Sequence, residues 1–114
     1  MTRFEDIRLV ALDLDDTTLR SDGSLSDETR KAIQAAIDAG LELVIASGRS
    51  LRSLPKDVAE IPGIRYAITS NGAATARLPD GERLVSLTLH PDTVHELIAL
   101  FGGELLECFI DGQA

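Results

Sequence analysis

Three aspartates, Asp13, Asp15 and Asp16, fall within four positions directly after an apolar run at residues 9–12. Like charges this close cost free energy unless a cation or a proton neutralises them. A carboxylate so placed can attack phosphorus and form an aspartyl-phosphate. A second carboxyl nearby can protonate the departing alcohol and then deprotonate the incoming water. Mg2+ suits the cluster, because it binds few carboxylates and stabilises charge on phosphoryl oxygens. The same spacing also suits a solvated acidic loop whose aspartates make turns and caps. Position favours the chemistry, since ligands of open α/β sheets bind at the carboxyl ends of strands.

A second candidate is Ser47-Gly48-Arg49, between an apolar run and a helical pattern. Its hydroxyl and backbone N–H groups could hold a phosphoryl oxygen, although an ordinary strand-to-helix turn capped by Ser47 reads the same way. Asn71-Gly72 is by spacing a plain turn dipeptide. Arg49, Arg52 and Lys56 could counter a substrate's charge, or lie on the surface. His90, His95 and Cys108 have no partner at a metal-ligand or triad spacing and read as structural. No Walker-type or GxGxxG loop is present, so nucleotide binding by those routes is unsupported.

The elements that must position these residues follow from periodicity. Residues 9–12, all apolar, predict a strand buried on both faces, as in parallel sheets. Ser21-Asp22-Gly23-Ser24 is turn chemistry, so residues 14–25 form a loop or small flap. Ser26 reads as an N-cap and Gly40 as a left-handed stop, bounding a helix over residues 27–39 whose buried face carries Ile33, Ala36 and Ile37. A second strand is expected over 41–46. Residues 50–61 have helical spacing broken at Pro55, and 64–69 form a third strand. Strand and helix alternating with short connections is the pattern of right-handed crossovers in a parallel sheet. Beyond Ser70, the β-prone runs 73–77 and 83–89 flank Leu78-Pro79-Asp80-Gly81 and predict an antiparallel hairpin. A helix over 91–101 and a further strand over 105–110 complete the pattern.

Composition bounds the functions. The 114 residues suffice for a single core, and 44% apolar with 26% charged residues is ordinary for a soluble globular protein. A net charge of -8 argues against nonspecific nucleic-acid binding and against adsorption to an anionic membrane. It does not exclude a phosphorylated substrate, because a metal and a few local cations can invert the field at a site. One cysteine permits no intrachain disulfide. No apolar run approaches the roughly 20 residues that span a bilayer, the first residues do not read as a signal peptide, and the expected location is cytoplasmic.

Taken together, the motifs resemble the haloacid dehalogenase superfamily of phosphohydrolases. Asp13-Leu14-Asp15-Asp16-Thr17 is similar to its DxDxT motif, with Asp16 where many relatives have glycine. Ala46-Ser47-Gly48-Arg49 is similar to its second motif in the Cof-like branch, where sugar-phosphate phosphatases abound. Residues 68–73 resemble that branch's turn into an α/β cap. The resemblance implies an α/β fold: a partial Rossmann-like sheet of three parallel strands with helices over residues 1–70, then the start of an α+β cap over 71–114. It makes Asp13 the nucleophile and a Mg2+ ligand, and Asp15 the general acid/base with its carbonyl on the metal. Thr17 would support the loop, with Ser47, Gly48 and Arg49 at the phosphoryl group and Asn71 near substrate. The implied partner is a small phosphorylated metabolite such as a sugar phosphate. The family's third motif, a lysine, and its fourth, acidic residues of the Mg2+ shell, follow the cap. This sequence is therefore expected to be an amino-terminal portion with weak or no turnover alone. Its first strand would be an apolar edge open to homodimer formation or to a complementing fragment. A phospho-accepting receiver domain fits less well, since its acceptor Asp ends the third strand, where this sequence reads Thr69-Ser70-Asn71.

Overall fold

The architecture is a five-stranded sheet in which the strands lie in chain order, so that the first strand is one edge and the last the other. It is taken from a computed structural model that describes residues 6–110. β1 (Leu9–Leu12), β2 (Glu42–Ala46) and β3 (Tyr66–Thr69) run parallel, with Leu12 opposite Ile45 and Ala46 opposite Ile68. Their carboxyl ends therefore finish side by side, which brings the Asp13, Ser47 and Ser70 loops to one rim of the sheet. β4 (Ala74–Arg77) and β5 (Arg83–Ser86) then add antiparallel strands, with a register shift between Thr75 and Ala76. The sheet does not stop at residue 70.

Helix α1 (Asp27–Asp38) crosses from β1 to β2. The Ser26 side chain accepts from the Thr29 backbone N–H at 3.1 Å, satisfying one of the orphan donors of the first turn. Gly40, at φ 91, ends the helix in the left-handed region as the sequence predicts. The expected break at Pro55 is real. A short 3-10 turn (Leu51–Ser53) precedes it, and α2 (Lys56–Ala59) follows with Pro55 as its N-cap. Val58, Ile61 and Ile64 seal the core between α2 and the sheet, together with Ile33, Leu43 and Ile45. Gly63 is tied to its place twice: its φ is 97, and a Cβ there would lie 2.6 Å from Ile37 Cγ2 on α1.

Three expectations are corrected. β1 is not buried on both faces: Leu9 is 55% exposed and Val10 and Leu12 are only half-buried. Four apolar residues in a row satisfy a sheet interior or an open apolar edge equally well, and among the described residues β1 pairs with β2 alone. Residues 105–110 do not form a strand, and only an isolated bridge occurs at Ile110. The second hairpin arm is also shorter than expected, ending at Ser86. α3 (Pro91–Phe101) matches its predicted span, but none of its residues is buried. Among the described residues, no helix is long and apolar enough to cross a membrane.

Candidate active site

The loop after β1 is pinned by its one apolar member. Leu14 is fully buried in the core, while its neighbours Asp13 and Asp15 remain exposed. Burial of the middle residue turns both carboxylates outward at the sheet rim. The loop is closed by a bond from the Leu19 N–H to the Leu14 carbonyl at 2.9 Å. Asp16 makes the reversal at φ 59, in the left-handed region that favours glycine and is tolerated by aspartate. That is a physical reason for glycine being frequent at this motif position.

Asp13 is held within its own loop. One carboxylate oxygen accepts from the Leu14 N–H at 3.0 Å and the other from the Thr17 hydroxyl at 2.9 Å. Thr17 therefore supports the loop through the candidate nucleophile itself. The contact to Leu14 is a cap, but a cap on a single loop turn whose Asp15 and Asp16 are not helical. Two accepted bonds leave about half of a carboxylate's roughly four lone-pair sites free.

Asp15 meets Arg49, 34 residues further on, through a two-pronged contact: Nε to Oδ2 at 2.9 Å and Nη2 to Oδ1 at 2.8 Å. The remaining Arg49 nitrogen donates to the Ser53 carbonyl at 2.9 Å. Planar guanidinium against carboxylate is the geometry that favours Arg over Lys. Hydrogen bonding from Arg49, with its charge adding to the effect, holds the Asp15 carboxyl below its ordinary 3.8, against a smaller upward push from burial. Asp15 in turn raises the Arg49 guanidinium. Side chains 34% and 51% exposed are well screened, so the pair orders the two loops more than it stabilises the fold.

The second loop interlocks with the third. Ser47 is buried, its backbone N–H donates to the Ile68 carbonyl at 2.9 Å, and its hydroxyl accepts from the Arg49 N–H at 3.1 Å. The Ser70 N–H donates to the Arg49 carbonyl at 2.8 Å. Ser70 and Asn71 both adopt positive φ, 51 and 54, so the corner carries backbone strain that the interlock holds in place. A Cβ at Gly48 would stand 2.8 Å from Asn71 Oδ1, so glycine lets the third loop lie directly on the second.

The outcome is a cleft of about 380 Å3 at the strand ends. Of the sequence-predicted residues, Asp15, Gly48, Arg49 and Asn71 line it. Asp13 and Thr17, bonded to each other, and buried Ser47, whose hydroxyl is committed to the Arg49 N–H, are not among its lining residues. Sequence reasoning missed Ser50 and Ser53 on the cleft wall, and Glu107 and Phe109, which close it from the segment after α3. Among the described residues, no three His, Cys, Asp or Glu side chains converge on a metal-sized site.

Parallel strands that deliver an aspartate loop and a Ser-Gly-Arg turn to one rim define a Rossmann-like α/β protein with a ligand crevice at its strand ends. A family model of haloacid dehalogenase-like hydrolases matches residues 10–112, and the chain belongs to that family. Among curated proteins it is 40% identical over 68 residues to the 5-amino-6-(5-phospho-D-ribitylamino)uracil phosphatase YcsE of Bacillus subtilis, covering 60% of this chain and 27% of the relative. It is 34% identical over 96 residues to the phosphatase of the same name, YwtE, from that organism, covering 82% and 31%. In structure it is similar to a haloacid dehalogenase-like hydrolase from B. subtilis, with a TM-score of 0.73 at 28% identity over 85% of this chain and 34% of the other. A Plasmodium vivax protein described as HAD/COF-like gives a TM-score of 0.69 at 25% identity, covering 86% and 37%. The chain thus spans about a third or less of the curated relatives it matches.

Proposed function

We propose that this chain carries the nucleophile-bearing part of a Mg2+-dependent phosphatase that works through an aspartyl-phosphate on Asp13. The substrate in this reading is a small phosphorylated metabolite such as a sugar phosphate, met in the cytoplasm. Residues 1–70 would be its core and 71–114 the opening of its cap. One observation carries the proposal: buried Leu14 turns Asp13 and Asp15 outward at the rim, beside the Gly48-Arg49 turn. The phosphatase relatives support it.

The donor chemistry fits Mg2+, a hard cation that takes one or two carboxylates and fills its shell with water and substrate phosphate. Asp13 has unspent carboxylate capacity, and the Asp15 backbone carbonyl is a second hard oxygen. Mg2+ bound there would neutralise charge on the phosphoryl oxygens. The remaining steps belong to the chain. Asp13 attacks phosphorus, Thr17 fixes its orientation through the 2.9 Å bond, and Arg49 with the Gly48 backbone faces the phosphoryl oxygens. Asp15 protonates the leaving alcohol and then takes a proton from the attacking water. While Arg49 holds both its oxygens, Asp15 is an ionised base, so the acid role requires Arg49 to turn to the phosphoryl group. We expect slow turnover from these 114 residues alone, because the single cation among the cleft's lining is already paired.

Phosphoenzyme trapping tests this without requiring turnover. The protein is incubated with Mg2+ and an acyl phosphate, and its peptides are then analysed by mass spectrometry. A phosphoryl adduct on the peptide containing Asp13, absent in Asp13→Asn, is the expected result. An adduct elsewhere, or none, overturns the proposal. A second reading has its own observation, the apolar edge of β1, unpaired among the described residues, with Leu9 55% exposed. Such an edge would let the chain self-associate or accept a complementing fragment. Light scattering that found only monomer would remove it.

A further inference from the structure

Arg52 and Lys56, the two cations that follow Arg49 in the sequence, do not line the strand-end cleft. Both line a second groove of about 270 Å3, together with Leu51, Leu54, Leu78 and Pro79. Leu54 and Leu78 are buried members of the core, and Leu51 and Ala59 pack on it, so the fold fixes the apolar part of this surface. The hairpin turn lies against the same segment: a Cβ at Gly81 would stand 3.5 Å from Leu51 Cδ2. Arg52 and Lys56 are exposed, and among the described residues neither makes a hydrogen bond or an ion pair. Arg49, Arg65 and Arg77, by contrast, are each bound to a carboxylate. On a chain of net charge -8, two cations left unpaired beside an apolar surface invite an anion from outside. Two cations against one acid, Glu60, leave the lining one positive charge in excess.

We propose that this groove is a second ligand site, for a small carboxylate with an apolar body, and that its occupancy regulates the cleft. One excess positive charge matches a monoanion, and the leucines, Ala59 and Pro79 match a compact hydrocarbon body. The link is the 3-10 turn Leu51–Ser53, which serves both sites: Leu51, Arg52 and Leu54 line the groove, while Ser50 and Ser53 line the cleft. The Ser53 carbonyl accepts from Arg49 at 2.9 Å while Arg49 grips Asp15. A ligand seated on Leu51 and Leu54 favours the turn as it stands, and so keeps Arg49 on Asp15. In the phosphatase reading, on which this link rests, Arg49 must turn to the phosphoryl group. The carboxylate and the phosphate therefore oppose each other.

Three probes separate charge from apolar body: cyclohexanecarboxylate, its neutral isostere cyclohexanecarboxamide, and acetate. Each is titrated into the 114-residue protein and followed by amide shifts, with Ala59 and Gly81 reporting the groove and Gly48 and Asn71 the cleft. Cyclohexanecarboxylate should bind about three- to tenfold more tightly than the carboxamide, as expected for two screened charge contacts. It should bind at least about tenfold more tightly than acetate, which lacks the body to bury. Arg52→Gln combined with Lys56→Gln should bring carboxylate and carboxamide within about twofold of each other. Both positions are exposed, so this variant is expected to fold, and amide dispersion checks it directly. Inorganic phosphate with Mg2+ is then titrated with and without saturating cyclohexanecarboxylate. Phosphate should bind about fivefold more weakly in its presence, and the double variant should lose that difference. Equal affinity for carboxylate and carboxamide, or a preference that the double variant leaves unmoved, overturns the site. Phosphate that binds the cleft equally well in both conditions overturns the regulation. So does phosphate weakened just as much in the double variant, because the carboxylate then competes in the cleft itself. Phosphate that fails to bind the cleft overturns the phosphatase reading, while the first titration still decides the groove.

Discussion

At Asp16 one backbone angle explains a residue choice. The loop reverses there at φ 59, with Leu14 sunk in the core on one side and Leu19 bonded back to Leu14 on the other. Glycine reaches this conformation freely and aspartate tolerates it, whereas a β-branched residue does not. Asp16→Gly should leave stability within about 0.5 kcal/mol, and Asp16→Val should cost about 1–2 kcal/mol, read from urea denaturation. An unaltered midpoint for the valine variant would show that the loop does not need the left-handed turn. The same residues show how far the sequence was legible at this scale. The Asp-x-Asp spacing and its place after an apolar run pointed to the rim. Spacing could not reveal that Thr17 binds Asp13, or that Arg49 reaches across 34 residues to grip Asp15. Those partners are set by which loops the sheet brings together, a property of strand order.

Elements fared according to how local their causes are. α1 is bounded by Ser26 and Gly40, both readable, because a cap depends on residues within one turn. Ser26→Ala should therefore lower stability by about 1 kcal/mol. The turn between β4 and β5 is equally local. Asp80 accepts from the Arg77 guanidinium at 2.7 Å and from the Glu82 N–H at 3.2 Å, and the Arg77 hydrogen bonds hold its carboxyl below the ordinary 3.8. A carboxyl depressed on folding contributes stability that is fully present above its unfolded pKa and is lost as pH falls through the folded value. The hairpin contribution should accordingly be intact above about pH 4 and fade below it, and it should vanish from the pH profile in Asp80→Asn. The burial of β1 on both faces and the strand over residues 105–110, each expected from the run alone, failed for the opposite reason, whereas the open β1 edge was expected from the family resemblance. Whether an apolar run becomes a central strand, an edge or an irregular segment depends on what lies beside it in space. No pattern within the run records that.

Across the whole molecule, the sheet is unevenly covered. Ile33 of α1 and Val58 of α2 pack on the β1–β3 half, where the deepest residues lie, while every residue of β5 and nearly all of α3 are exposed. Leu84, Val85, Leu87 and Leu89 leave one end of the fold apolar, and Leu9 leaves the β1 edge so. The β1 edge is the sharper liability, since it offers unpaired backbone donors and acceptors as well as apolar surface. A single charge on it is a known device against edge-to-edge pairing, and position 9 can take one. Leu9 is 55% exposed and outside the core cluster, so Leu9→Lys removes little burial and should shift stability by less than about 1 kcal/mol. If the edge drives association, Leu9→Lys should lower the weight-average mass seen by light scattering at high protein concentration, with the unfolding midpoint nearly unchanged. The matching control is Leu97→Lys on α3, 39% exposed, which should leave that mass where it was. Should the control alone reduce association, the contact lies on the helix, and the strand edge is not what holds copies together.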